Sequence, residues 1–355
     1  MDSLAFYLLL LVSLTAVAIP PTTSATTIGV TYSTPDSISG SVILSPDRIA
    51  EKIVSMKIPA VRLLDFNPEM IRAFADTNVS LFLSVPNPLV PLLASDRSIA
   101  KAWVYRHVLP FYPRTNISII SVGNDAISDS PDVSPSLLRA MQNVRRSLKD
   151  LGIYKISVST TFSFFNIVPA AFIPSAAQFQ KPTGDVIIRP ILQFLERTNS
   201  SFLINLYPYN VYRSSFPISM GFALFVESPF GYKSDLNTGV RYRNLFDMMV
   251  DAVFSSMAAM GHEKLPLIVA ETGWLTSGAR AEGISEVYVF ELVEEEGKQG
   301  IGNRGLLHHN MTTSKYSFEP SDDDSKIEAV PEDSNSFWLG CFLFFVEVVV
   351  LYLMG

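Results

Sequence analysis

The chain is poor in cysteine, in histidine and in clustered positive charge. Its 355 residues include a single cysteine, Cys341. A disulfide scaffold and a cysteine metal site are both excluded, so the fold must be held by its hydrophobic core. The four histidines (His107, His262, His308, His309) show no ligand spacing, and no metal ion or organic cofactor is expected. Lys and Arg number 27 against 34 Asp and Glu, a formal net charge of −7. With no basic run to meet phosphates, nucleic acid is not an expected partner.

What is present begins at the two ends. Leu4 to Ile19 is nearly all apolar, which suits a secretory signal peptide. Asp2 stands where a basic residue is usual; Ala16-Val17-Ala18 and Ser24-Ala25 offer cleavage sites. A second apolar run, Phe337 to Met354, follows an acidic, Ser-rich stretch from Glu319 to Ser336. No Lys or Arg follows that run and Glu347 lies within it, features that disfavour a permanent span. A polar spacer before a terminal apolar tail matches a glycosylphosphatidylinositol attachment signal. The expected organisation is a signal peptide over 1–25, a barrel domain over 26–318, an acidic linker over 319–336 and a hydrophobic tail over 337–355. Asn-x-Ser/Thr triplets begin at Asn78, Asn116, Asn199 and Asn310, consistent with an extracellular glycoprotein. Attachment to the outer face of the plasma membrane or the cell wall is expected, as a monomer.

Between the ends, short β-branched runs alternate with longer amphipathic ones. The strand candidates are Ile28–Tyr32, Ala60–Leu64, Ser80–Val85, Ile117–Val122, Lys155–Thr161, Phe202–Tyr207, Leu267–Ala270 and Glu286–Val293. Most are apolar throughout, as parallel strands covered on both faces are. Helix signals lie between them: Ser45-Pro46 as a start, Leu137–Leu151 stopping at Gly152, and Asn244–Met260 stopping at Gly261. Eight strands with crossover helices predict an α/β fold, a closed (β/α)₈ TIM barrel. No Gly-rich phosphate loop supports the alternative, an open doubly wound sheet. One unit is short, because only eleven residues, 275–285, separate Trp274 from Glu286. Either the seventh helix is missing or the last strand lies elsewhere.

Two carboxylates stand where apolar strands stop: Asp125 after Val122-Gly123-Asn124, and Glu271 after Leu267–Ala270. Barrel active sites form at the carboxyl ends of strands. Two carboxyl groups about 5–5.5 Å apart would allow retaining glycoside hydrolysis. Asp125 also reads as the start of an Asx turn, since Ser128, Asp129 and Ser130 follow. A Glu directly after four apolar residues is a costly structural choice, so Glu271 reads as functional.

The chain from Ile28 to about Leu307 resembles plant endo-1,3-β-glucanases of glycoside hydrolase family 17. The matching strings are Ile28-Gly29-Val30-Thr31-Tyr32, Val61-Arg62-Leu63-Leu64-Asp65, Val85-Pro86-Asn87, Val122-Gly123-Asn124, Asn205-Leu206-Tyr207-Pro208-Tyr209, Asn244-Leu245-Phe246-Asp247 and Glu271-Thr272-Gly273-Trp274. The resemblance implies a hydrolase of β-1,3-glucan, a callose-like polysaccharide. It places the nucleophile on Glu271 and the acid/base on Asp125, and sets Asn124 against the sugar 2-hydroxyl. It implies that Asn87, Asn205 and Tyr207 line the cleft and that Tyr32 is an aromatic sugar platform. It further implies that Tyr209 and Trp274 shape the cleft and that Glu295 and Lys298 order the nucleophile's surroundings. Three departures stand out: aspartate rather than glutamate at 125, the short 275–285 segment, and Arg304 where relatives usually carry an aromatic. They leave a second reading open, a glucan-binding protein weak or inactive in catalysis.

Overall fold

The computed structural model describes residues 26–33, 45–169, 173–214, 218–224, 231–273, 284–290 and 292. The apolar runs at both ends, Trp274, Glu295 and Lys298 lie outside them. Eight parallel strands form a closed ring: β1 (Thr27–Tyr32), β2 (Ala60–Leu63), β3 (Ser80–Val85), β4 (Asn116–Asn124), β5 (Ser157–Ser163), β6 (Phe202–Leu206), β7 (Leu267–Thr272) and β8 (Ile284–Val289). Neighbours in sequence are neighbours in the ring, and β8 closes it by pairing Thr27 with Glu286. The expected (β/α)₈ barrel is therefore what forms.

Crossovers carry helices on the outside: α1 (Pro46–Ser55), α2 (Pro68–Ala73), α3 (Val90–Ser95), α4 (Arg97–His107), α5 (Leu137–Asp150), α6 (Arg189–Thr198) and α7 (Leu245–Ala258). In α1, Pro46 occupies the first turn, where its missing N–H costs nothing. Ser45 precedes it in extended backbone, but its side chain makes no capping bond. Asn244 caps α7 reciprocally: it accepts from the Asp247 N–H at 2.8 Å and donates to the Asp247 carboxylate at 2.8 Å. The buried stripe of α5 runs through Leu137, Ala140, Met141, Val144 and Leu148. Leu138 and Leu151, beside that stripe, are half-buried.

Inside the ring, Ala60, Phe82, Ile119, Leu203, Ile268, Ala270 and Tyr288 form a separate apolar layer. Tyr288 meets Phe82 edge-on at 5.3 Å, and its hydroxyl donates to Glu286 at 2.6 Å. Gly29 is required opposite that ring, because a Cβ there would lie 2.7 Å from Tyr288. This layer floors the barrel, so polar residues beyond it on the same strands face the mouth.

Eleven residues, 273–283, join Thr272 to Ile284. The eighth strand is nonetheless real, parallel to both β7 and β1. It starts two residues before the expected Glu286 and ends at Val289 rather than Val293. Its outward Val287 and Val289 are half-buried, whereas Leu81, Leu83 and Val85 of β3 are fully buried. Both site strands also run past their apolar pattern. β4 takes in Asn124 and β7 takes in Glu271 and Thr272, and the Asn124 and Glu271 side chains find partners inside the mouth.

Candidate active site

Two β-bulges shape the mouth. Relative to β5, β4 carries one extra residue between Ser121 and Asn124. Gly123 sits within it at φ +83°, where a Cβ would press on Leu137 at 3.0 Å and Asn87 at 3.2 Å. Relative to β6, β7 carries Ala270 as its extra residue, between partners Ile204↔Val269 and Asn205↔Glu271. A bulge bends a strand and re-aims the next side chain, and here it turns Glu271 inward beyond the apolar layer.

Glu271 is 6 % exposed and both its oxygens are engaged. Arg62 donates to Oε1 at 2.7 Å, and the Tyr207 hydroxyl donates to Oε2 at 2.6 Å. Arg62 is fully buried, and its guanidinium also reaches the Ala270 carbonyl at 2.9 Å, Asn124 Oδ1 at 2.8 Å, Asn205 Oδ1 at 3.5 Å and Ser84 Oγ at 3.4 Å. Its flat face lies 4.8 Å above the Phe82 ring. A buried guanidinium needs this many acceptors, since an unpaired buried charge is prohibitive. No role for Arg62 follows from the sequence reading, although an arginine between Val61 and Leu63 was a signal: a lone charge in an apolar strand must have a partner.

The asparagines form the next ring of contacts. Asn205 Nδ2 donates to Asn124 Oδ1 at 3.2 Å. Asn87 grips the Asn124 backbone from both sides: its Nδ2 donates to the Asn124 carbonyl, and its Oδ1 accepts from the Asn124 N–H, both at 2.9 Å. Asn87, Asn124, Asn205, Tyr207 and Glu271 are thus joined in one network with Arg62 at its centre. Below it, Ser121 and Thr161 share a hydrogen bond at 2.9 Å across β4 and β5.

Asp125 follows Asn124 in left-handed backbone, φ 48° and ψ 34°. Its N–H donates to the Thr161 carbonyl at 2.9 Å, and its own carbonyl accepts from Ser128 and Asp129. Its side chain does not cap the turn Ala126–Asp129 that it heads. Tyr32 is 3 % exposed at the end of β1, and burial, then the nearby Asp65 charge, pushes its phenol well above the ordinary value. Tyr209 is half-buried on the turn Pro208–Arg213, with the Arg213 guanidinium 5.5 Å from its ring.

A closed parallel barrel with a clamped carboxylate and a polar network at the strands' carboxyl ends has the architecture of a barrel enzyme. The chain belongs to glycosyl hydrolases family 17, whose sequence pattern matches residues 38–308. It is 36 % identical over 247 residues to glucan endo-1,3-beta-glucosidase 4 of Arabidopsis thaliana, covering 68 % of this chain and 48 % of that protein. With glucan endo-1,3-beta-glucosidase 7 of the same plant it shares 40 % identity over 238 residues, 66 % of this chain and 46 % of the relative. The chain thus spans about half the length of these curated relatives. Among solved structures, it is similar to CJP38, a beta-1,3-glucanase and allergen of Cryptomeria japonica pollen. That match has TM-score 0.71 and 29 % identity, over 80 % of this chain and 96 % of that one.

Proposed function

We propose that this chain is a retaining endo-hydrolase of β-1,3-glucan, with Glu271 as nucleophile and Asp125 as acid/base. The observation that carries the reading is the state of Glu271: inside a strand, inward, with one oxygen on Arg62 and the other on Tyr207. Those two donors fix its direction while each oxygen keeps a lone pair for attack. Attack of Glu271 on the anomeric carbon breaks the glycosidic C–O bond, and the proton from Asp125 goes to the departing oxygen. Asp125, ionised by that transfer, then takes a proton from water as the water displaces Glu271, so configuration is retained. Asn124 is joined to Glu271 through Arg62 and directly precedes Asp125, and it is suited to hold the sugar 2-hydroxyl.

The test is hydrolysis of a soluble β-1,3-glucan by the purified protein, with the first-formed reducing end followed by NMR. A β-configured product and rapid shortening of the polymer support the reading; an α product, or full activity in Glu271→Gln, defeats it. One observation favours a second reading, glucan binding without efficient catalysis: the carboxyl at 125 is one methylene short of a glutamate. An inactive wild type that gains activity as Asp125→Glu would establish that reading.

We also infer an extracellular, lipid-anchored location from the sequences at 4–19 and 337–354. Among the described residues, no helix is long and apolar enough to cross a membrane. Release of the protein from plasma membranes by a phosphatidylinositol-specific phospholipase tests the anchor; retention after treatment argues against it.

A further inference from the structure

We propose that Asn78, Asn116 and Asn199 carry N-linked glycans, all on the face of the barrel opposite the mouth. The proposal rests on the extracellular reading above. Each asparagine heads an Asn-x-Ser triplet without proline, Asn78-Val79-Ser80, Asn116-Ile117-Ser118 and Asn199-Ser200-Ser201, the acceptor pattern for such glycans. Triplets arise by chance, so position decides their meaning. Asn78 lies two residues before β3, Asn116 is the first residue of β4, and Asn199 lies three residues before β6. All three are exposed. In a parallel barrel every strand starts on one face and ends on the other, so these three share the face remote from Glu271.

Two of them are also neighbours. Ser80 and Asn116 are register partners, and the serines of the two triplets bond to each other, Ser80 Oγ to Ser118 Oγ at 2.7 Å. The turns just before them are tied by the Asp76–Arg114 ion pair and by the Asp76 N–H on the Arg114 carbonyl at 2.8 Å. Glycans at Asn78 and Asn116 would therefore stand side by side on a rigid base. The mouth asparagines show the opposite pattern. Two places after Asn67, Asn87, Asn124, Asn205 and Asn210 come Glu69, Leu89, Ala126, Tyr207 and Tyr212, none of them the Ser or Thr that the triplet requires. A conformational role accounts for Asn199, which ends α6 in left-handed backbone at φ 50°, but it accounts for neither Asn78 nor Asn116. A bulky, solubilising glycan on the strand-start face leaves the rim open to a polymer.

The modification joins the asparagine amide nitrogen to the anomeric carbon of a lipid-pyrophosphate-linked oligosaccharide. The C–O bond to the pyrophosphate breaks, the lipid pyrophosphate leaves, and one amide proton is released. The full chain, translated with endoplasmic-reticulum microsomes and treated with external protease, tests this. Glycans are then released by an amidase in ¹⁸O-water and the peptides mapped by mass. The expected result is a protected chain with labelled aspartate at 78, 116 and 199. One step of mass is lost in each of Asn78→Gln, Asn116→Gln and Asn199→Gln, and none in Ser80→Thr or Ser118→Thr, which keep the triplets. A protected chain unlabelled at any of the three overturns the placement and leaves the extracellular reading standing. An unprotected chain overturns both.

Discussion

Glu271 and Asp125 sit at the same end of one barrel on unlike supports. Glu271 belongs to β7, is nearly inaccessible, and has a guanidinium on one oxygen and a phenol on the other. Asp125 has left β4, is half-buried, and stands in a backbone conformation that most side chains avoid. The difference shows what each position demands. A carboxylate at 271 balances the buried Arg62 guanidinium. A residue at 125 must first tolerate left-handed backbone, which Asp and Asn do more readily than longer side chains.

The largest break in that comparison is Glu271→Gln. Glucan hydrolysis should fall by about 10⁴-fold or more, as losing a catalytic side chain does, with the fold kept. Steady-state rates on a soluble glucan and a melting curve read both. Arg62→Met is expected to cost stability as well, about 3–5 kcal/mol by urea denaturation, because it strands a buried carboxylate. A melting curve unchanged from wild type would show that Glu271 does not depend on its partner. Asp125→Glu sharpens the contrast from the other side. Its added methylene should raise kcat by up to about a hundredfold, the scale of a 1 Å correction. It should also lower stability by about 1 kcal/mol through the left-handed backbone. Tyr207→Phe removes a single charge-assisted bond, worth about 1.5–3 kcal/mol, and should reduce kcat by about 10- to 150-fold with KM little changed.

The smallest effect expected lies beyond the two carboxylates and tests an acid held in place for structure alone. Asp235 accepts from the Ser175 N–H and hydroxyl and from the Asn237 and Thr238 N–H groups. It ties the turn Pro174–Ala176 to the two-stranded ribbon Lys233–Ser234/Arg241–Tyr242. Burial raises its carboxyl, but those hydrogen bonds outweigh it and bring the pKa down from 3.8 to about 2. Its contribution is therefore complete above about pH 4 and disappears as pH falls through about 2. Asp235→Asn should flatten the acid limb of stability measured by thermal melts between those values while leaving hydrolysis near neutrality unchanged.

The strands were legible because their apolar runs are long and β-branched; all eight are found, with ends shifted by a few residues. The ends moved where polar residues continue the ladder: Asn124 and Glu271 look like strand stops in sequence and are strand residues in space. On α5, Leu137 and Leu138 are alike in composition, and only packing shows that Leu137 is the fully buried one. At the site, the family strings named Glu271, Asn87, Asn124, Asn205 and Tyr207 without saying that one side chain joins them. Arg62 lies roughly two hundred residues from Glu271 in sequence, and no local rule pairs them. Nor does any propensity reveal the extra residue in β7 that points Glu271 inward, since a bulge is a property of two strands in register.

Arg62 has one consequence for the short segment between β7 and β8. From β2, its guanidinium touches groups on β3, β4, β6 and β7, acting like a spoke set across the ring from within. Five groups on four other strands are thereby held to one another by a single side chain. A rim segment can then shrink, as the eleven residues after Thr272 have relative to an ordinary crossover, without letting Glu271 drift from its station.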